Sequence, residues 1–521
     1  MFRAVACVPL LSLLLACVSS SVCQAGTLVA TTLRIGATTY AGGVSNDGDI
    51  EHFLGVPFAQ PPVGELRWQP PQAITSKPAA AQARHFAPAC EQGPHIVEWY
   101  RGVVASFGGE PATFGAPEVN EDCLYLNIWK PIRVGSAPLP VLVYIHGGSN
   151  KGGWSYEPNY IGENLARRGL IVVTIAYRLG VFGFFAHPEL ADANFALLDQ
   201  VAALQWLKEH VAAAGGDADN LTVMGESAGA SNIDFLLASP LASGLFKRVI
   251  HQSAGWAVMG RTSRETHLLR GIELQQRLLG TNGSIEQLRK IPADDLLLAA
   301  ATIYQGQFFD PVVDGQSLTM PVKDALHERL FPRVDLLIGS NADEWLMYLE
   351  KSQSLDEWMM ENLSPLQIRA VTPVLPTDSD PAQALDTLIT AYNYVCPSMY
   401  LAGQINQRGG RSWFYYFSRV RGGDRAQSMG AYHGAELPYV FNTHDDWLPT
   451  SQADRELTET VMNYWANFAR SGDPNGPQLP VWPRFDTKAG TVLQLDSVVK
   501  AQAHPSLALC DMLMPAKERS G

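Results

Sequence analysis

One pentapeptide in the 521-residue chain has the make-up of a nucleophile turn: Gly225-Glu226-Ser227-Ala228-Gly229, its only Gly-x-Ser-x-Gly match. A serine hydroxyl attacks poorly until a base takes its proton, so a histidine steered by an acid must stand elsewhere in the chain. The chemistry such a set performs is acyl transfer. The turn needs a strand before it and a helix after it, and residues 221–224 and 228–237 read as those two elements. Gly225 and Gly229 then have a physical reason to lack side chains, because a Cβ at either would crowd the strand or the helix where the chain folds back. The start of the helix adds the Ala228 N–H and a positive dipole end, both useful where negative charge develops on a carbonyl oxygen.

Twelve histidines compete for the role of base. Where a strand-turn-helix carries the serine, the acid and the histidine follow it in the chain, which leaves His433, His444 and His504 as the candidates beyond the later strands. His433 is the best placed, in the loop-like stretch Gly430-Ala431-Tyr432-His433-Gly434-Ala435-Glu436 soon after an apolar run. His146 reads differently. It closes another apolar run and opens His146-Gly147-Gly148-Ser149, a glycine-rich loop of the kind that offers backbone N–H groups to an oxyanion.

The elements that must hold these residues are legible as apolar, β-rich runs at 140–145, 170–176, 221–224, 248–251, 334–338 and 413–417. Near-continuous apolar strands imply burial on both faces. Between two of them, residues 199–213 place Val201, Leu204, Leu207 and Val211 on one helical face, as expected of a helix packed on a parallel sheet. The reading is an open α/β sheet without internal repeats or a linker that would split it. We expect one catalytic domain over residues 26–521, with insertions near 91–122 and 346–394 that could roof a cleft.

Composition narrows the function further. Lys+Arg 38 against Asp+Glu 51 gives a net charge of −13, spread without long single-sign runs, so a nucleic-acid partner is excluded. With 17% charged and 46% hydrophobic residues, the chain is neither disordered nor fibrous. Residues 1–25 read as a signal peptide: Arg3, an apolar stretch too short to span a bilayer, and a cut after Cys23-Gln24-Ala25. Leu14-Leu15-Ala16-Cys17 also looks like a lipoprotein processing site, so a lipid anchor at Cys17 is the alternative to a secreted or periplasmic form. After the cut at Ala25 four of the seven cysteines remain, Cys90, Cys123, Cys396 and Cys510, and an even count in an oxidising compartment suggests disulfides. Sequence alone does not choose among the three pairings. No HExxH pattern or phosphate loop is present, so no metal and no cofactor is expected.

Five matches, the serine pentapeptide among them, lie in order along the chain. Phe53-Leu54-Gly55-Val56-Pro57-Phe58-Ala59 with Pro61-Pro62-Val63-Gly64, Glu121-Asp122-Cys123-Leu124-Tyr125-Leu126-Asn127, Asn194 with Leu197-Leu198-Asp199-Gln200, the serine pentapeptide itself, and Trp465-Ala466-Asn467-Phe468-Ala469 with Gly472-Asp473-Pro474-Asn475 resemble the signatures of the type-B carboxylesterases, the group that includes cholinesterases. The resemblance implies the α/β-hydrolase fold, a central mostly parallel sheet flanked by helices, and a serine carboxylic-ester hydrolase acting on small-molecule esters. It places the acid on Glu344 in Asn341-Ala342-Asp343-Glu344, with Asp343 a structural neighbour, and the oxyanion donors on Gly148, Ser149 and Ala228. It makes Ser253 a partner for the acid, with Glu226 a supporting residue beside the nucleophile, and Arg67 with Glu121 an ion pair. It also implies the disulfides Cys90 to Cys123 and Cys396 to Cys510.

Two positions depart from the pattern: Ser149 replaces the third glycine of the loop, and Trp345 stands where a glycine usually follows the acid. The segment from Gln305 to Gly315 resembles the one that walls the acyl pocket. Aligned at Pro311 it puts Gln305 and Gln307 on that wall, and one residue of slip would bring Phe308 in instead. Glutamines there imply a broad esterase accepting acyl groups larger than acetyl. Trp99 and Tyr100 are possible cation-binding rings but lie far from Cys123, so choline selectivity is not expected. The rival readings are an adhesion or scaffold protein on the same fold, which typically lacks a triad member, and a cholinesterase-type or peptidase specificity, which an ester and its matching amide would separate.

Overall fold

Alternate residues of the central strands point into two different hydrophobic layers, and that alternation builds the molecule. The computed structural model describes residues 31–514 apart from 76–77, 133–134, 136, 261, 351, 377–379 and 424. The expected signal segment and Cys17 lie outside the described residues. In chain order the strands are β1 (Thr31–Ile35), β2 (Thr38–Val44), β3 (Ile50–Pro57), β4 (Ala80–Gln82), β5 (Tyr125–Pro131), β6 (Leu139–Ile145), β7 (Ile171–Ile175), β8 (Gly216–Glu226), β9 (Arg248–Gln252), β10 (Asp335–Asn341), β11 (Ser412–Phe417), β12 (Thr491–Leu495) and β13 (Lys500–Ala503). They form one sheet in the order β1-β2-β3-β5-β7-β6-β8-β9-β10-β11-β12-β13, with β4 beside β2. From β7 to β12 every neighbouring pair is parallel, the outer pairs along this order are antiparallel, and β4 runs parallel to β2. This is the α/β-hydrolase architecture that the resemblance implies.

Val141, Val143 and Ile145 of β6 face the layer that holds the helix Phe195–His210, packing with its Leu197, Val201 and Leu204. Leu142 and Tyr144 face the opposite layer, with Val461, Trp465 and Phe468 of the helix Gln452–Ser471. Side chains two apart share a face, so a strand covered on both sides must be apolar throughout. That is why the six central runs were readable.

The helix over 195–210 begins four residues before the expected start. Asp199 does not mark its end. Its carboxylate is fully buried and takes Arg178 in two hydrogen bonds, Nε to Oδ2 at 2.8 Å and Nη2 to Oδ1 at 2.7 Å. The expected Val211 falls in a following 3-10 turn, Val211–Ala214, and is still buried. Arg67 and Glu121 form the expected ion pair, with Arg67 Nε donating to Glu121 Oε2 at 2.6 Å and Nη1 to the Ile291 carbonyl at 2.6 Å. Among the described residues no helix is long and apolar enough to cross a membrane.

The disulfides join Cys90 to Cys123 and Cys396 to Cys510, across 33 and 114 residues, as the resemblance implies. In the chain-entropy account, loops of this size are stabilised by about 3.5 to 5 kcal/mol per bridge through the unfolded state. We therefore expect none of these four thiols to react with a maleimide until the protein is reduced, and reduction to lower the unfolding midpoint. A Cys90 to Cys396 peptide in a non-reducing digest would contradict the pairing.

Candidate active site

Strand β8 ends at Glu226, the helix Ala228–Ala238 begins two residues on, and Ser227 stands between them at φ 55° and ψ −125°. A residue with a Cβ rarely adopts this backbone, so the turn is strained and its surroundings must hold it. The two glycines show how tightly they do so. A Cβ on Gly225 would lie 2.5 Å from the Gly229 carbonyl carbon, and one on Gly229 would run into the Ile145 carbonyl oxygen. The Ser227 N–H is tied to the Gln252 carbonyl of β9 at 2.9 Å, and the Ser227 carbonyl accepts the first helical bond from Ser231 at 3.0 Å.

Three strand ends then converge. Glu344 lies three residues past β10 and is fully buried. Its Oε1 accepts the Asn341 N–H at 2.7 Å and its Oε2 faces His433 Nδ1 at 2.6 Å. His433 comes from the loop after β11, and its Nε2 lies 2.8 Å from Ser227 Oγ. A carboxylate on Nδ1 fixes the tautomer with the proton there, which leaves Nε2 free to accept from the serine. Asp343 is held apart from this chain, accepting from the Ala431 N–H and Gln383 Nε2, each at 2.8 Å. The other two late histidines are far from Ser227 in their bonding. His444 contacts Arg421 and Thr458, and His504 packs on Phe414 and Tyr416. Burial pushes them down to about 4 and about 3, respectively.

Gly147, Gly148, Ser149 and Ala228 edge the same cavity as Ser227. Gly148 and Ser149 both have positive φ, 95° and 57°. Ser149 thus sits in the small left-handed region that a residue with a Cβ can enter, and the missing glycine is accommodated there.

No hydrogen bond joins Ser253 Oγ to Glu344, whose Oε1 accepts the Asn341 N–H at 2.7 Å; the hydroxyl neighbouring Ser253 is that of Tyr415. Glu436, which the sequence reading passed over, is wired in instead. It accepts from Gln252 Nε2 at 2.7 Å and from Asn341 Nδ2 at 2.6 Å, and so joins β9 and β10 beneath His433. The available signal was its place three residues after the histidine.

The charges in this small space oppose each other. Burial pushes Glu226 up to about 8, helped by Glu436, Glu344 and Glu157, although His433 pulls the other way. Burial also works against a charge on His433, yet Glu226 and Glu344 outweigh it and raise the imidazole to about 9. The two shifts compete, because a proton on Glu226 removes the charge that lifts His433. Glu226 Oε1 lies 3.2 Å from His433 Nε2 in a site that already holds two other carboxylates. We take the upward shift of Glu226 as the governing one, since that many buried negative charges are not sustained together.

The cavity measures about 280 Å³. Phe308 lines it and the two glutamines do not, so the alignment that put Gln305 and Gln307 on the acyl wall is one residue out of register. Gln305 points to solvent. Trp345 also lines the cavity, as do Trp99 and Tyr100 despite their distance from Cys123, because one face of the helix His95–Ser106 borders it. Trp256 and Tyr394 were not foreseen. Tyr394 sits on the π-helical turn Ala391–Val395 with its ring 5.5 Å from that of His433. An irregular turn inside a helical pattern leaves no mark in hydrophobic periodicity.

The chain is similar to known proteins over most of its length. Residues 38–512 match the model of the carboxylesterase family. Similar proteins include a fumonisin B1 esterase from Sphingopyxis macrogoltabida, 31% identical over 92% of each chain, and carboxylesterase 1C from Rattus norvegicus, 31% identical over 84% of each. Among solved structures, a PNB esterase superposes with a TM-score of 0.80 at 27% identity, covering 93% of this chain and 99% of that one. A thermophilic PNB esterase gives 0.79 at 28% identity, over 93% and 100%. The chain belongs to the carboxylesterase family. It is a serine ester hydrolase.

Proposed function

We propose that the protein hydrolyses carboxylic esters through an acyl-enzyme on Ser227. The observation that carries this is the unbroken chain from Ser227 Oγ to His433 Nε2, 2.8 Å, and from His433 Nδ1 to Glu344 Oε2, 2.6 Å. His433 Nε2 takes the hydroxyl proton as Oγ attacks the ester carbonyl, and Glu344 holds the tautomer and stabilises the imidazolium. The N–H groups of Gly148, Ser149 and Ala228 receive the oxyanion, each such donor being worth about 3 kcal/mol in measured cases. The alkoxide leaves with the proton from His433, and water repeats the cycle on the acyl-enzyme. The test is labelling with an organophosphate: one equivalent should attach to the protein, on the peptide containing Ser227, with loss of p-nitrophenyl ester turnover.

The scope is that of a broad esterase accepting acyl groups larger than acetyl. With the glutamines out of the wall, this reading is supported by the size and aromatic lining of the cavity and by Phe308 being 44% exposed, at the rim instead of plugging the floor. We expect kcat/KM for butyryl and benzoyl esters of one alcohol to equal or exceed that for the acetyl ester. A strong acetyl preference would mean that the aromatic rings close the wall. We further read the protein as exported, a reading supported by two disulfides, which persist in oxidising compartments.

A further inference from the structure

The 3-10 turn Leu346–Tyr348 begins two residues after the acid Glu344 and carries Tyr348 to the cavity, beside His433. The Tyr348 N–H closes on the Trp345 carbonyl at 2.9 Å, and its ring meets that of Trp345 at 5.1 Å and that of His433 edge-on at 6.4 Å. From the helix His95–Ser106, Trp99 reaches the same phenol, with Nε1 2.9 Å from Tyr348 Oη. Trp99 is itself held, edge-on to Tyr100 at 4.9 Å and tilted to Tyr432 at 6.3 Å. Two segments distant in the chain thus fix one hydroxyl.

The direction of that bond is set by chemistry. An indole N–H donates and never accepts, so Tyr348 Oη is the acceptor and keeps its own proton for another partner. Among the described residues the hydrogen-bond partner of Tyr348 Oη is Trp99 alone, which cannot take a proton. Two other tyrosines of the cavity differ. Tyr100 gives its proton to Glu157, and Tyr160 gives its own to the Trp154 carbonyl at 2.9 Å. Tyr348 is also reachable, at 36% exposure, and accepting from Trp99 polarises its O–H and makes it the better donor.

We propose that the Tyr348 hydroxyl donates to a neutral oxygen, an ether or a carbonyl, in the alcohol portion of the ester, and so selects alcohols that carry such an oxygen. The alcohol side follows from His433: it hands its proton to the departing alkoxide, and Tyr348 packs against its ring. A neutral acceptor follows from the acidic side chains of Glu157 and Glu226 in the same cavity, which disfavour a carboxylate. An alkyl chain in that place would strip water from the hydroxyl and return no acceptor.

The inference rests on the ester-hydrolase reading, and the experiment keeps the two apart. Butyrates of ω-methoxy and methyl-keto alcohols, with two to four carbons between the oxygens, are compared with isosteres in which CH₂ replaces the ether oxygen or the carbonyl. We expect kcat/KM of at least one oxygen-bearing ester to exceed that of its isostere by about fivefold or more, although the isostere is the more apolar. Tyr348→Phe, which keeps the ring and removes the donor, should bring that ratio to about one. Trp99→Phe, which releases the orientation of the hydroxyl, should lower it at least twofold. The same oxygens moved into the acyl chain of butyl esters should gain nothing from Tyr348. No advantage at any length overturns the assignment, as does a Tyr348→Phe enzyme that loses activity on both members of each pair in parallel, or an advantage confined to the acyl chain. No turnover of any ester would instead refute the ester-hydrolase reading itself.

Discussion

Replacing Ser227 with alanine is expected to reduce ester turnover by about 10⁵-fold or more and to abolish organophosphate labelling, without unfolding the protein. The size follows from the role: with no oxygen on that turn there is no covalent acyl-enzyme, and only binding and the oxyanion donors remain. The fold should survive because the φ 55° conformation is held by neighbours and not by the hydroxyl, through the Gln252 carbonyl, the Ser231 N–H and the close-set backbones at Gly225 and Gly229. Far-UV circular dichroism and the thermal midpoint test the second half. A Ser227→Ala protein with unchanged structure and more than a hundredth of the parent rate would refute the mechanism.

Removal of the base should be nearly as severe, and its specificity is the sharper test. His433→Ala is expected to lose about 10⁴-fold or more in kcat, because the hydroxyl then has no acceptor for its proton. His444→Ala should change stability and leave turnover per folded molecule within a few-fold, since its ring is occupied by Arg421 and Thr458, and His504→Ala likewise. Between the adjacent acids, Glu344→Gln should cost far more than Asp343→Asn. The first removes the charge facing His433 Nδ1, whereas the second alters bonds to Ala431 and Gln383. Equal losses at the two acids would mean that the 2.6 Å contact is not what supports the imidazole.

The sequence carried the central sheet and the serine turn for one shared reason: both are written in local pattern, whereas Glu344 came only from the family resemblance. A strand covered on both faces is an apolar run, and a strand-turn-helix needs its two glycines. The outer strands β1 to β3 and β5 were missed because they alternate or carry polar residues, β1 being buried, exposed, buried, exposed, buried. What local pattern cannot carry is contact between distant segments. The resemblance made Ser253 the acid's partner, and only the folded chain shows that the Asn341 N–H donates to the acid and that Glu436 bridges β9 to β10. The one-residue error at Gln305 and Gln307 is of the same kind, because the loop before Pro311 has no periodicity to pin it.

The charge chain is drawn from three separate strands whose only common reference is the pairing between them. Glu226 pairs with Gln252 across β8 and β9, Gly339 with Gln252 across β9 and β10, and Asn341 with Phe417 across β10 and β11. One residue of slip in any of these ladders displaces a strand end by about 3.3 Å, more than the whole length of the bond between His433 and Glu344. The side-chain set is therefore a vernier on the sheet: it closes only when three ladders are simultaneously in step, and a misregistered fold could be compact, apolar inside and catalytically silent.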